Sequence, residues 1–118
     1  MTTERDPDCL FCRIVVDEIP SDRVFEDDDV IAFRDIAPRA PTHVLVVPRR
    51  HIPDIHALGP TDGPLLSALF AAVRRIADDA MLERGYRVVT NVGPESGQSV
   101  FHLHLHLLGG RPMSWPPG

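Results

Sequence analysis

Apolar residues along the chain follow two different periods, and the changes of period divide it into elements. Leu66, Leu69, Phe70, Val73, Ile76, Ala77 and Ala80 recur at spacings of three and four, which predicts one long amphipathic helix over residues 62–84. Gly85 is the expected helix stop, because glycine takes the left-handed conformation at little cost. Elsewhere the apolar runs are short and bounded by turn formers. Residues 23–26, 30–33, 43–47, 86–91 and 101–108 read as five strands. The third is nearly all apolar (Val44, Leu45, Val46, Val47), so burial on both of its faces is expected. A short helix over 12–18 should stop at Ile19-Pro20, since a residue before proline avoids the α region. These elements predict an α+β fold: a five-stranded, mostly antiparallel sheet with one long and one short helix on one side.

Composition narrows the classes without naming one. The chain has 118 residues, 43% hydrophobic and 25% charged, which fits a single globular domain over 1–118. Its net charge is −5, and the acids gather early, as in Glu26-Asp27-Asp28-Asp29. Basic pairs occur only at Arg49-Arg50 and Arg74-Arg75, too few for the basic face of a nucleic-acid binder. The first eight residues carry no apolar signal-peptide region, and no apolar run approaches the roughly 20 residues that span a bilayer. A cytoplasmic protein with no membrane partner is expected. The two cysteines, Cys9 and Cys12, are too close to frame a disulfide scaffold; that spacing suits a metal clip or a redox dithiol.

The chemistry concentrates in His102-Leu103-His104-Leu105-His106-Leu107-Leu108. On a strand, alternate side chains leave the same face, so three imidazoles would line one face about 6.5–7 Å apart. The leucines would enter the core. Three half-polar rings in a row have no packing rationale, because each has two nitrogens to satisfy. A metal is the rival reading, since His-x-His presents two ligands to zinc, with His43 or a carboxylate as a third. The segment Gly93-Pro94-Glu95-Ser96-Gly97-Gln98-Ser99 before the histidines is a loop of turn formers whose N–H groups could form an anion nest.

Taken together, Glu18-Ile19-Pro20, Phe33-Arg34-Asp35-Ile36, Ala40-Pro41-Thr42-His43, Asn91, Gly97-Gln98-Ser99-Val100, the three histidines, Gly109-Gly110-Arg111 and Trp115-Pro116-Pro117-Gly118 resemble the histidine-triad superfamily, in particular its Hint branch of nucleotide-binding proteins. The resemblance implies a homodimer that transfers or hydrolyses a purine nucleoside monophosphate (AMP or GMP derivatives) through a covalent nucleotidyl-histidine. It implies His104 as nucleophile, His106 as donor to a phosphate oxygen, and Ser99 beside the leaving group. His43 joins this catalytic set in an orienting role.

For the substrate the resemblance implies Asp35 on the ribose hydroxyls, Phe33 and Ile36 as walls of the purine slot, Asn91 and Gln98 on ribose and phosphate, and Trp115 from the tail over 109–118. Cys9-Leu10-Phe11-Cys12 is similar to bacterial members, where Cys9, Cys12, His51 and His102 would hold a structural zinc; no cofactor is implied for the chemistry itself. Dinucleoside polyphosphate hydrolysis and a non-catalytic nucleotide-binding role are the competing functions.

Overall fold

A computed structural model of the protein describes residues 5–118. Five strands, β1 (Arg23–Glu26), β2 (Val30–Arg34), β3 (Thr42–Pro48), β4 (Tyr86–Val89) and β5 (Leu105–Gly109), form one sheet in the order β1-β2-β3-β5-β4. Every neighbouring pair is antiparallel. The expected fold class is the one observed. Among the described residues no helix is long and apolar enough to cross a membrane.

The acidic run is turn chemistry. Asp27 Oδ1 accepts from the backbone N–H groups of Asp29 and Val30, both at 2.8 Å, which closes the β1–β2 hairpin. Arg49 then clamps it, donating to the Asp27 carbonyl at 2.7 Å and to Glu26 at 3.1 Å.

The helices α1 (Leu10–Val15) and α2 (Gly63–Asp79) cover opposite faces of the sheet rather than one side as expected. On one face Leu69, Ala72, Val73 and Ile76 of α2 pack on Val30, Ala32, Val44, Val46, Leu105 and Leu107. On the other, Phe11, Ile14 and Val15 of α1 pack on Ile31, Phe33, Leu45 and Val47. The two-sided apolar character of β3 is the physical reason: its odd residues need cover as much as its even ones. Leu107 is fully buried, and truncating it leaves a cavity between sheet and helix. Leu107→Ala is expected to cost about 3 kcal/mol, read as a lower urea midpoint at unchanged slope.

The long helix ends before the residues expected. Met81 adopts φ 59, the Leu82 N–H reaches back to the Ala77 carbonyl at 3.0 Å and the Met81 N–H to the Asp78 carbonyl at 3.0 Å, a Schellman stop. Leu82 thereby folds back over Gly109, where a Cβ would lie only 2.7 Å from its Cδ1. Gly85, with φ 121, shapes the turn into β4 instead. Phe70, expected in the apolar stripe, is half exposed, and Ala80 is exposed.

β5 is also shorter than expected. Its ladder with β3 begins at the Val46–Leu105 pair, and the same register continued would set Leu103 opposite Pro48, which has no N–H to donate. The Leu103 N–H bonds the Ile52 carbonyl instead, at 2.6 Å. Only His106 of the three histidines therefore stands in the strand proper. Alternation nevertheless persists: Leu103, Leu105 and Leu107 enter the α2 core, and the histidines take the other side.

Candidate active site

Hydrogen bonds to backbone groups decide which nitrogen of each ring carries the proton. His104 is 7% exposed, and its Nδ1 lies 2.6 Å from the carbonyl oxygen of His102. A carbonyl can only accept, so Nδ1 holds the proton and Nε2 the lone pair. No described polar group reaches that Nε2, and no buried side-chain nitrogen or oxygen lacks a partner, so the lone pair faces open space.

His43 is set the opposite way. The Arg39 N–H donates to its Nδ1 at 3.0 Å, which leaves the proton on Nε2. That Nε2–H lies 2.9 Å from His106 Nδ1 and 3.5 Å from Asp35 Oδ2. His106 consequently accepts at Nδ1 and carries its own proton on Nε2. The rings of His104 and His106 are 5.0 Å apart. Side by side, one offers a lone pair and the other a proton.

Burial holds all of these rings neutral. It pushes the pKa values of His104 and His43 below the usual imidazole range. His106 is lowered to about 4, first by burial and then by the neighbouring His104 and His43. The unfolded chain, with an ordinary histidine, therefore takes up a proton before the folded one does. The stability contributed by neutral His106 is complete above about pH 6.5 and is lost as pH falls from there toward about 4. Urea midpoints measured across that window should fall with pH in the wild type and fall less in His106→Ala.

Several further groups build the site, most of them with no signal in the sequence. Thr90 Oγ1 donates to the His104 carbonyl at 2.9 Å and pins the strand entry. Phe11 stands edge-on to His104 at 5.1 Å, to His102 at 5.9 Å and to Phe33 at 5.4 Å. Its place inside the Cys9–Cys12 turn was the available clue. The carbonyls of His102 and Pro48 and the Arg39 N–H are backbone groups, invisible in residue identity.

The expected substrate contacts are placed unevenly. Asp35 is partly buried; its Oδ1 accepts from the Ala37 N–H at 2.8 Å, leaving Oδ2 beside His43. Ser99 is exposed, and Asn91 is half-buried two residues beyond the end of β4. Ile36 and Trp115 are exposed, so in a single chain they wall nothing. Phe33 is only 4% exposed and belongs to the core under α1.

Gln98 departs from expectation. Its Oε1 accepts from the Gly93 N–H at 2.8 Å, and its Nε2 donates to the carbonyls of Pro53 at 2.9 Å and Val100 at 3.2 Å. Both amide hydrogens are engaged, so it closes the loop rather than offering a donor to phosphate. The loop needs such a closure because Gly93 and Gly97, at φ 82 and 97, turn it sharply and free backbone groups from regular pairing.

Cys9, Cys12, His51 and His102 converge, with one donor atom from each within 4.8 Å of all the others. His102 donates through Nε2 to the Pro48 carbonyl at 2.8 Å, which leaves its Nδ1 lone pair aimed at Cys9 Sγ (3.4 Å) and Cys12 Sγ (3.5 Å). His51 Nδ1 is 3.3 Å from Cys12 Sγ. Zinc–sulfur bonds of about 2.3 Å and zinc–nitrogen bonds of about 2.0–2.1 Å at tetrahedral angles place sulfur and nitrogen about 3.6 Å apart. The donor set fits that ion. N–H groups of Asp6 and Cys12 point at the two sulfurs, as thiolate ligands need. A redox dithiol fits less well, because burial pushes the Cys12 thiol up to about 11, and a reactive thiol needs the reverse.

Asp35, His43 and His106 also cluster within ligand range, but the protonation pattern opposes a metal there. With the Arg39 N–H on Nδ1, His43 presents a proton, not a lone pair, toward the other two. A separate cleft of about 380 Å³, lined by residues 81–85 and 110–112, contains no histidine and no nucleophile.

The sequence pattern of the HIT domain matches residues 16–113. An uncharacterized HIT-like protein of Synechocystis is 48% identical over 111 residues, covering 94% of this chain and 97% of that protein. The 14 kDa zinc-binding protein of Zea mays is 46% identical, covering 96% of this chain and 90% of its own length. The crystal structure of a HIT family hydrolase from Legionella pneumophila superposes with a TM-score of 0.92 at 50% identity, covering 94% of this chain and all of that one (100%). A shared sequence pattern, near-complete coverage and a superposable fold lead to one assignment: this chain belongs to the HIT domain family.

Proposed function

We propose that the protein is a purine nucleoside phosphoramidase or nucleotidyl hydrolase-transferase that works through a covalent intermediate on His104. The observation that carries this reading is the His104 Nδ1–H bond to the His102 carbonyl, which leaves a neutral, unpartnered Nε2 at the open face. In the first step that lone pair forms a bond to the α-phosphorus. The phosphorus–nitrogen bond of the phosphoramidate breaks, its electron pair leaves on nitrogen, and that nitrogen takes a proton through the exposed Ser99 hydroxyl from solvent. His106 Nε2–H hydrogen-bonds a non-bridging oxygen as negative charge builds there. In the second step water attacks phosphorus and gives up a proton to solvent, the P–N bond to His104 breaks with its electron pair returning to Nε2, and the nucleoside monophosphate is released.

Asp35 accepts from the ribose hydroxyls through Oδ2 in this reading, and Asn91 contacts the ribose–phosphate junction. The exposed Ile36 and Trp115, and the unpaired outer edge of β4, support a homodimer that would cover them. Cys9, Cys12, His51 and His102 would hold a zinc ion. That ion would fix α1 against the strand entry and take no part in phosphorus chemistry.

The test compares initial rates on an adenosine phosphoramidate and on diadenosine polyphosphates. Faster turnover of the phosphoramidate, by at least about tenfold in kcat/KM, is the expected result. The reverse order would reassign the protein to dinucleoside polyphosphate hydrolysis, and tight AMP binding without turnover of either would make it a binding module.

A further inference from the structure

The Arg39 N–H that orients His43 is itself held from outside the site. Arg111 Nε donates to the Arg39 carbonyl at 3.0 Å, and its Nη1 to the Pro112 carbonyl at 3.0 Å. The tail reaches this position through Gly110, at φ 91, whose missing side chain leaves room for Pro41; a Cβ there would lie 2.9 Å from Pro41 Cβ. Arg111 is therefore fastened to the tail at one end and to the loop before β3 at the other.

We infer that Arg111 is a positioning residue for His106, acting through the Arg39 residue and His43. The Arg39 carbonyl and N–H lie on the two peptide planes that meet at its Cα, so holding the carbonyl on one side and His43 on the other restricts the rotations that would swing the N–H away. That N–H forces the His43 proton onto Nε2. The Nε2–H then occupies His106 Nδ1, leaving His106 able only to donate from its outward nitrogen. Without the clamp, the exposed loop carrying Ala37, Pro38 and Arg39 has no other described side-chain donor on the Arg39 carbonyl. His43 could then take the other tautomer, and His106 would turn an acceptor toward the phosphate oxygen it should stabilise. Arg111 touches no substrate in this scheme. The catalytic part of the inference rests on the phosphoramidase reading, while the proton positions do not.

The test is a double-mutant cycle with a spectroscopic control. Arg111→Gln should lower kcat about tenfold, the worth of one charge-assisted hydrogen bond, with AMP affinity unchanged within about twofold. Arg111→Lys, which keeps a charged donor, should recover part of the loss. In a His106→Ala background Arg111→Gln should cost less than about twofold, because the group it serves is gone. Imidazole ¹⁵N–¹H correlation spectra should show His43 and His106 protonated on Nε2 in the wild type and as tautomer mixtures in Arg111→Gln. Losses that multiply in the double variant, or a His43 proton that stays on Nε2 in Arg111→Gln, would overturn the inference. If the wild type hydrolyses no phosphoramidate, the functional reading fails alone, and the spectra still decide the role of Arg111.

Discussion

Replacing His104 by alanine is expected to lower phosphoramidate turnover by at least about 10⁴-fold, because the nucleophile has no substitute within reach. His106 stands nearest, yet its Nδ1 is occupied by His43 and its outward nitrogen carries the proton. His102 is fully buried, with Nε2 on the Pro48 carbonyl and Nδ1 on the two sulfurs. Neither ring can present a lone pair to phosphorus without losing a hydrogen bond that holds it in place. Protein stability should change far less than activity, since removing a ring at the open face leaves the leucine core untouched. Steady-state rates and thermal melts of the same preparation check both halves. A His104→Ala variant within tenfold of wild-type turnover would point to a different nucleophile.

The second large effect concerns stability. Cys12→Ser should bring zinc content from about one ion per chain to near zero and lower the Tm by about 10 °C or more. Cys12 is 2% exposed and faces both His51 and His102, so its loss opens the ligand set and leaves buried polar groups facing one another. Assayed well below both melting temperatures, kcat should stay within about tenfold of wild type. Metal analysis and calorimetry check the first claim, and low-temperature kinetics the second. A purified wild type that carries no zinc and melts at the same temperature as Cys12→Ser would remove the ion from the account.

Much of this was legible in the sequence because the decisive signals were periodic. The leucines of 103, 105 and 107 and the apolar run of β3 announced buried positions that tertiary packing then used. The resemblance implies the set Cys9, Cys12, His51 and His102, and the fold brings the four together. Errors came where one residue overrode a pattern. Pro48 cut the β5 ladder short, and Met81 took a left-handed conformation that was expected of Gly85. The side of the sheet that α1 covers depends on long-range contacts of Phe11, Ile14 and Val15, which a six-residue helix does not advertise. Gln98 was expected on phosphate, but its partners are three backbone groups, and one of them, the Pro53 carbonyl, lies 45 residues away where the sequence does not advertise it. The tautomers of His43, His104 and His106 were illegible for the same reason. They are set by carbonyls and N–H groups that every residue possesses.

Trapping the intermediate tests the account most directly. Wild-type protein mixed with a small excess of adenosine phosphoramidate, quenched within the first turnover and digested, should yield a peptide bearing adenosine monophosphate on His104, and His104→Ala should yield none. Rapid product formation with no adduct on any histidine, and equal rates in His104→Ala, would contradict it.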